Sequence, residues 1–257
     1  MILNCREQGD GPVVVILHGL FGSADNWNAV AGVLSARRRV VSIDLTNHGD
    51  SPHADDFSYD SIARDVSETV SSLAIDRVDL IGHSMGGKVA MAVALERPES
   101  VRSLVVVDIA PTRYPPSHGE IFDAYAAVEK AQPSTRRDAD AVLAEFVGDA
   151  QIRAFLLKNF VKGSRGYTLR LNHRALADGY DTILGWPDLN AEYRGPSLFV
   201  RGERSPYVPD DVVPAILGFF PRATVETIES AGHWIHAEAF DEFLSVVSGF
   251  LNTERSA

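Results

Sequence analysis

Five consecutive apolar residues, Val13-Val14-Val15-Ile16-Leu17, are entered from Gly11-Pro12 and closed by His18-Gly19. A continuous β-branched run between turn signals reads as a strand with both faces buried. Val40-Val41-Ser42-Ile43-Asp44-Leu45 repeats the pattern and breaks at Asn47-His48-Gly49-Asp50-Ser51-Pro52. Val78-Asp79-Leu80-Ile81 and residues 103–108 predict two more strands. Between these runs the period changes. Residues 27–35 predict a short helix, and Ile62, Val66, Val70 and Leu73 recur at helical spacing within 58–73. Residues 88–95 predict a third helix, rich in small side chains. Strands alternating with helices imply a mostly parallel sheet covered on both faces.

The alternation stops after Asp108 and resumes near Pro196 with Ser197-Leu198-Phe199-Val200, a helix over 210–217, an edge-like strand over 224–228 and a final helix over 239–251. In between, apolar residues keep helical spacings: Ile121, Phe122, Tyr125 and Val128, then Val142, Leu143, Phe146 and Val147, then Ile152, Phe155 and Leu156. No strand pattern interrupts them. Residues 1–110 and 196–257 therefore read as one α/β core, and 111–195 as a helical cap inserted after the strand ending at Asp108. Such insertions sit over the carboxyl ends of parallel strands, where ligands bind.

At 257 residues the chain can bury a substantial single core, and 45% hydrophobic with 23% charged residues is ordinary for a soluble globular protein. A net charge of -11 argues against nucleic-acid binding, since no surplus of Lys and Arg is present to neutralise phosphates. Cys5 stands alone, so no intrachain disulfide can form. Met1-Ile2-Leu3-Asn4-Cys5-Arg6-Glu7 has no basic stretch leading into an apolar segment, which disfavours a signal peptide, and the apolar runs are too short to span a bilayer. The expectation is a cytoplasmic monomer or small homo-oligomer, without membrane insertion.

Gly82-His83-Ser84-Met85-Gly86 lies directly after one predicted strand and directly before a helix. A turn this tight holds Ser84 in a strained conformation and needs glycine at 82 and 86, where a side chain would crowd its neighbours. The turn lifts the hydroxyl off the sheet, while the helix aims its unpaired N–H groups at a developing oxyanion. Ser84 is the candidate nucleophile and the Met85 N–H the first oxyanion donor. The second donor is the Leu20 N–H, in the loop His18-Gly19-Leu20-Phe21-Gly22 after the first buried strand. His18 reads as a hydrogen-bonding residue within that loop.

Among eight histidines, His233 in Ser230-Ala231-Gly232-His233-Trp234 follows a strand and comes after the nucleophile in chain order. Neutral imidazole can take the serine proton and return it to a leaving group. His236 is the nearby competitor, expected to begin the final helix and point elsewhere. The acid is open between two residues. Asp108 ends the strand before the insertion and is favoured; Glu203, in Arg201-Gly202-Glu203-Arg204-Ser205-Pro206-Tyr207, is the alternative and would need a different reach.

These residues resemble the α/β-hydrolase superfamily, and within it the small bacterial esterases of the YbfF type and their ABHD11-like relatives. The likeness covers essentially the whole chain. It is carried by His18-Gly19-Leu20-Phe21-Gly22-Ser23, Asn47-His48-Gly49-Asp50-Ser51-Pro52, Gly82-His83-Ser84-Met85-Gly86-Gly87-Lys88, Val107-Asp108-Ile109-Ala110-Pro111, Arg201-Gly202 with Ser205-Pro206-Tyr207, and Gly232-His233-Trp234. The resemblance implies an acid at the position of Asp108, a helical cap over the serine, short- to medium-chain acyl esters or thioesters as substrates, and neither metal nor organic cofactor. Haloalkane and epoxide hydrolysis are disfavoured, because such relatives carry Asp where this chain has Ser84. The brief N-terminus leaves room for one strand before Val13, so the sheet edge is expected to be trimmed.

Phe21, Met85, Ile109, Phe122, Phe155, Trp186 and Trp234 are candidate pocket residues for an apolar acyl substrate, whereas Lys88 and Arg113 read as solvated or structural. Lactone, carbon–carbon, peroxide or amide chemistry would use the same residues, and a non-catalytic small-molecule receptor is the alternative from another class. Fluorophosphonate labelling separates the receptor from the enzymes, and ester and acyl-CoA panels separate the enzymes from one another.

Overall fold

The computed structural model describes residues 1–55, 57–163 and 166–253. Nine strands occur among them: β1 Cys5–Gln8, β2 Val13–Leu17, β3 Arg39–Ile43, β4 Val78–His83, β5 Val101–Val107, β6 Phe160–Gly163, β7 Gly166–Leu169, β8 Ser197–Gly202 and β9 Ala223–Ile228. The helices are α1 Asn28–Leu34, α2 Tyr59–Ser72, α3 Met85–Glu96, α4 Gly119–Ala131, α5 Arg136–Leu143, α6 Ala150–Leu156, α7 His173–Asp178, α8 Tyr180–Leu184, α9 Val213–Phe219, α10 Ile235–Glu238 and α11 Phe240–Thr253.

Seven strands form one sheet in the order β1-β3-β2-β4-β5-β8-β9. Every neighbouring pair runs parallel except β1 with β3, so the segment before Val13 adds one antiparallel edge strand. The alternation of side chains along each strand feeds two separate apolar layers. Val15, Leu17, Val41, Ile43 and Leu80 face one layer, while Val14, Ile16, Val40, Ile81 and Val105 face the other. This explains why the central strands read as unbroken apolar runs. Helix α3 is buried on every side from Met85 to Leu95, which is why its sequence shows no polar stripe. Strand order reverses around β2, with β3 on one side and β4 on the other. Loops leaving β2 and β4 diverge there and open a crevice at the strands' carboxyl ends.

A buried ion pair joins the sheet to the last helix. Asp79 on β4 accepts from Arg38 at 2.9 Å and from Ser103 at 2.9 Å, and Arg38 also donates to the Leu251 carbonyl at 2.7 Å.

The insertion between β5 and β8 carries α4 to α8, but it is not purely helical. Strands β6 and β7 pair antiparallel as a hairpin, with Phe160 opposite Leu169 and Lys162 opposite Tyr167. The Phe160 and Tyr167 rings stack at 4.8 Å. This corrects the all-helical expectation. Four-residue strands are too short for alternation to stand out beside the helical periods flanking them.

Candidate active site

Ser84 closes the turn between β4 and α3 with φ 52° and ψ -122°, a conformation that costs a non-glycine residue about 1–3 kcal/mol. Its surroundings hold it there. The Ser84 N–H donates to the Val107 carbonyl at 3.0 Å, and the Ser84 carbonyl accepts from Gly87 at 2.8 Å. A Cβ at Gly82 would stand 2.2 Å from the Gly86 oxygen, and one at Gly86 would stand 2.3 Å from the His18 oxygen. The glycines are therefore required by backbone contact on both sides of the serine.

His233 lies in the loop between β9 and α10, and four contacts aim it. Gly232 and Trp234 donate their N–H groups to the Glu238 carboxylate at 2.8 and 3.1 Å. His83 Nε2 donates to the His233 carbonyl at 2.9 Å, and the Tyr207 ring stacks on the imidazole at 4.2 Å. In this position His233 Nε2 is 3.1 Å from Ser84 Oγ, and Nδ1 is 2.7 Å from Asp108 Oδ2. Asp108 is fully buried, whereas the His233 side chain keeps 25% of its surface exposed. The Asp108 carboxylate is otherwise satisfied by the Gly202 N–H at 3.1 Å and by the Ser205 hydroxyl. Asp108 also has positive φ, 54°, so its side chain turns back toward the imidazole instead of continuing the strand.

Glu203 is not brought to His233. Its carboxylate accepts the Ser230 N–H at 3.0 Å and shapes the loop that carries the histidine. His236 stacks on Trp27 at 4.4 Å, away from Ser84, and burial pulls its pKa down to about 3. His18 donates from Nδ1 to the Gly19 carbonyl at 2.8 Å and accepts the Leu45 N–H at Nε2, 2.9 Å. His48 accepts the Phe21 N–H at 3.2 Å, and burial with the nearby His18 holds its pKa at about 3. Two neutral histidines thus pin the loop of Leu20. From the insertion, Asn159 donates to the Phe21 carbonyl at 2.7 Å and ties the same loop to the segment before β6.

Two cavities meet at Ser84. The larger, 750 Å³, is lined by Leu20, Phe21, Phe155, His233 and Trp234 among others. The smaller, 40 Å³, is lined by Leu20, Met85, Lys88, Ile109 and a group of tyrosines that includes Tyr59, Tyr114 and Tyr207. Phe122 stands one layer behind the wall, edge-on to Phe21 at 5.2 Å. Trp186 is a correction. It packs edge-on against Phe219 at the end of α9, at 5.6 Å, and lines neither cavity at Ser84.

Lys88 is buried rather than solvated. Its ammonium donates to the Leu184 carbonyl at 2.9 Å and sits 4.9 Å from the Tyr114 ring centre. Burial, with the Arg113 charge adding to it, lowers its pKa to about 7. Arg113 pairs with Asp181 at the exposed surface.

Sequence reasoning missed Ser205, Tyr207, His83 and His118. Ser205 and Tyr207 were visible only as part of a motif, and His83 only as the residue beside the serine. His118 lines both cavities and accepts the Tyr180 hydroxyl proton at Nδ1, 2.7 Å; burial and the His233 charge lower its pKa to about 4. A histidine at the entrance to a helix of the insertion gave no signal of its own.

Residues 12–240 match the family model described as the alpha/beta hydrolase fold. The chain is 42% identical over 248 residues to mouse (Mus musculus) sn-1-specific diacylglycerol lipase ABHD11, covering 93% of this chain and 81% of that protein. It is 37% identical over 250 residues to esterase YbfF of Escherichia coli K12, covering 97% and 96%. A solved structure described as a marine microorganism esterase superposes with a TM-score of 0.94 at 37% identity, covering 97% of this chain and 99% of that one. Sheet order, serine turn and full-length similarity agree, and the chain belongs to the α/β-hydrolase family, as one of its carboxylic ester hydrolases.

Proposed function

We propose that Ser84 is the nucleophile, His233 the general base and then acid, and Asp108 the carboxylate that fixes the imidazole, in hydrolysis through an acyl-enzyme. The observation that carries this reading is the unbroken relay from Asp108 Oδ2 to His233 Nδ1 at 2.7 Å and from Nε2 to Ser84 Oγ at 3.1 Å. Asp108 holds the proton on Nδ1, which leaves Nε2 free to accept the serine proton. Ser84 attacks the acyl carbon, and the oxyanion forms beside Met85, whose N–H has no intrahelical partner at the first position of α3, and beside Leu20. His233 then protonates the leaving oxygen or sulfur, activates water, and the acid departs. Short- to medium-chain acyl esters and thioesters are the proposed substrates, with residues 111–195 acting as a cap over the core formed by 1–110 and 196–257. No cofactor is required by these steps. No helix among the described residues is long and apolar enough to cross a membrane; a cytoplasmic monomer or small homo-oligomer acting on a small molecule fits this reading.

The test is covalent labelling. A fluorophosphonate is expected to add to the peptide containing Ser84, and Ser84→Ala to lose both labelling and turnover. Full activity in Ser84→Ala, with the fold intact by circular dichroism, would overturn the mechanism.

A further inference from the structure

The two cavities at Ser84 are unequal, and the position of the base decides which half of an ester enters each. His233 must deliver its proton to the leaving atom, so the leaving group lies on the imidazole side of the tetrahedral carbon. The imidazole lines only the 750 Å³ cavity, while Met85 and Ile109 line only the 40 Å³ compartment. Building on the serine-hydrolase reading, we propose that this protein is selective for esters that join a short acyl group to a large apolar alcohol. The acyl group occupies the small compartment and the alcohol the large groove.

At 40 Å³ against 750 Å³, the small compartment suits only a short acyl group, whereas the groove can take a long chain. The compartment's polar walls are already engaged. The Tyr59 hydroxyl donates to the Ile183 carbonyl at 2.7 Å, the Tyr114 hydroxyl to the Tyr207 carbonyl at 2.7 Å, and Lys88 to the Leu184 carbonyl. Besides Ser117 and His118, what remains for a ligand is aromatic face and aliphatic side chains such as Ile109 and Met85, which suit alkyl groups. The helix-borne walls pack tightly: a Cβ at Gly87 would come within 2.5 Å of Ile109 Cγ2, so the compartment cannot deepen toward α3. The groove, by contrast, presents Phe21, Ile121, Ile152, Phe155 and Trp234.

Isomeric ester pairs test the orientation directly. Hexyl acetate and ethyl hexanoate have the same atoms, as do octyl acetate and ethyl octanoate, but with the short and long halves exchanged. The acetate of each pair is expected to have the higher kcat/KM, by about tenfold or more, because misfitting methylenes alone discriminate at that level. Ile109→Ala is expected to narrow the ratio by favouring hexanoate, and Phe155→Ala to narrow it by weakening hexyl acetate. Turnover of both series with the ethyl alkanoates preferred would overturn the orientation and leave the hydrolase reading standing. Fluorophosphonate labelling of Ser84 with equal rates for both isomers and no response to either variant would also overturn it. Absence of labelling and of turnover on every ester would remove the hydrolase reading and this inference with it.

Discussion

Replacing Asp108 with Asn keeps the size of a fully buried side chain and removes only its charge and one acceptor. In the native protein one carboxylate oxygen accepts Gly202 N–H at 3.1 Å, and the other accepts His233 Nδ1–H at 2.7 Å together with the Ser205 hydroxyl. An amide must put its NH2 group at one of these two positions. Facing Gly202, it sets two donors against each other in a buried site, at a cost of about 1–3 kcal/mol. Facing His233, it forces the imidazole to carry its proton on Nε2, which can then no longer accept from Ser84. In both orientations the imidazolium formed during attack loses its buried counter-charge. The same Asp-to-Asn change in a serine protease triad lowers kcat by about 10⁴. Allowing for the milder orientation, the expected loss here is about 10³–10⁴, or roughly 4–5.5 kcal/mol of barrier. The assay is kcat for p-nitrophenyl acetate, with thermal unfolding to confirm the fold and Glu203→Gln measured in parallel. Glu203→Gln is expected to fall by less than about tenfold, since its carboxylate holds Ser230 and not the imidazole. Asp108→Asn retaining kcat within tenfold of the parent, or Glu203→Gln losing more than Asp108→Asn, would refute the assignment.

Acid is expected to destabilise the protein from about pH 6.5 downward. His48 and His236 are buried neutral with pKa values of about 3, against 6.5 when exposed, so between these limits the unfolded chain takes up protons that the native state refuses. Each such histidine removes roughly 1 kcal/mol of stability per pH unit in that window; urea midpoints at pH 7 and 5 measure it, His236→Phe should flatten the slope, and equal midpoints would contradict it. Gly82→Ala forces a Cβ to 2.2 Å from the Gly86 oxygen and should abolish activity or soluble expression, whereas Gly218→Ala in α9 meets nothing within 4 Å and should be neutral or slightly stabilising; activity per folded protein compares the two. Asp79→Ala removes the buried carboxylate that accepts from Arg38, Arg102 and Ser103 and should cost about 1–3 kcal/mol in urea unfolding; a midpoint unchanged by Asp79→Ala would show that this cluster is not coupled to folding.

The sheet and the serine turn could be read from the chain because their signals are local. Val13–Leu17 and the other central strands are buried on both faces, so five apolar residues in a row suffice to mark each. Ser84 is announced by its glycines, whose need arises from backbone atoms within a few residues or in the next strand. Chain order then made His233 the natural base. The identity of the acid was a different kind of question. Asp108 and Glu203 follow neighbouring strands, β5 and β8, and both carry a carboxylate at the right end of the sheet. Which one meets the imidazole depends on the positive φ at Asp108 and on where Ser230 turns, and neither is encoded in a spacing. The β6–β7 hairpin, the place of Trp186 against Phe219, and the arrival of His118 and Tyr207 beside Ser84 belong to the same class. They depend on how the insertion, and for Tyr207 the loop after β8, packs over the sheet. Helical periodicity shows which face of a segment is apolar, but not which of several apolar surfaces it will cover. The division of the site into a small and a large compartment is therefore a property of the folded chain alone, produced by contacts between residues far apart in the chain, such as Asn159 with Phe21.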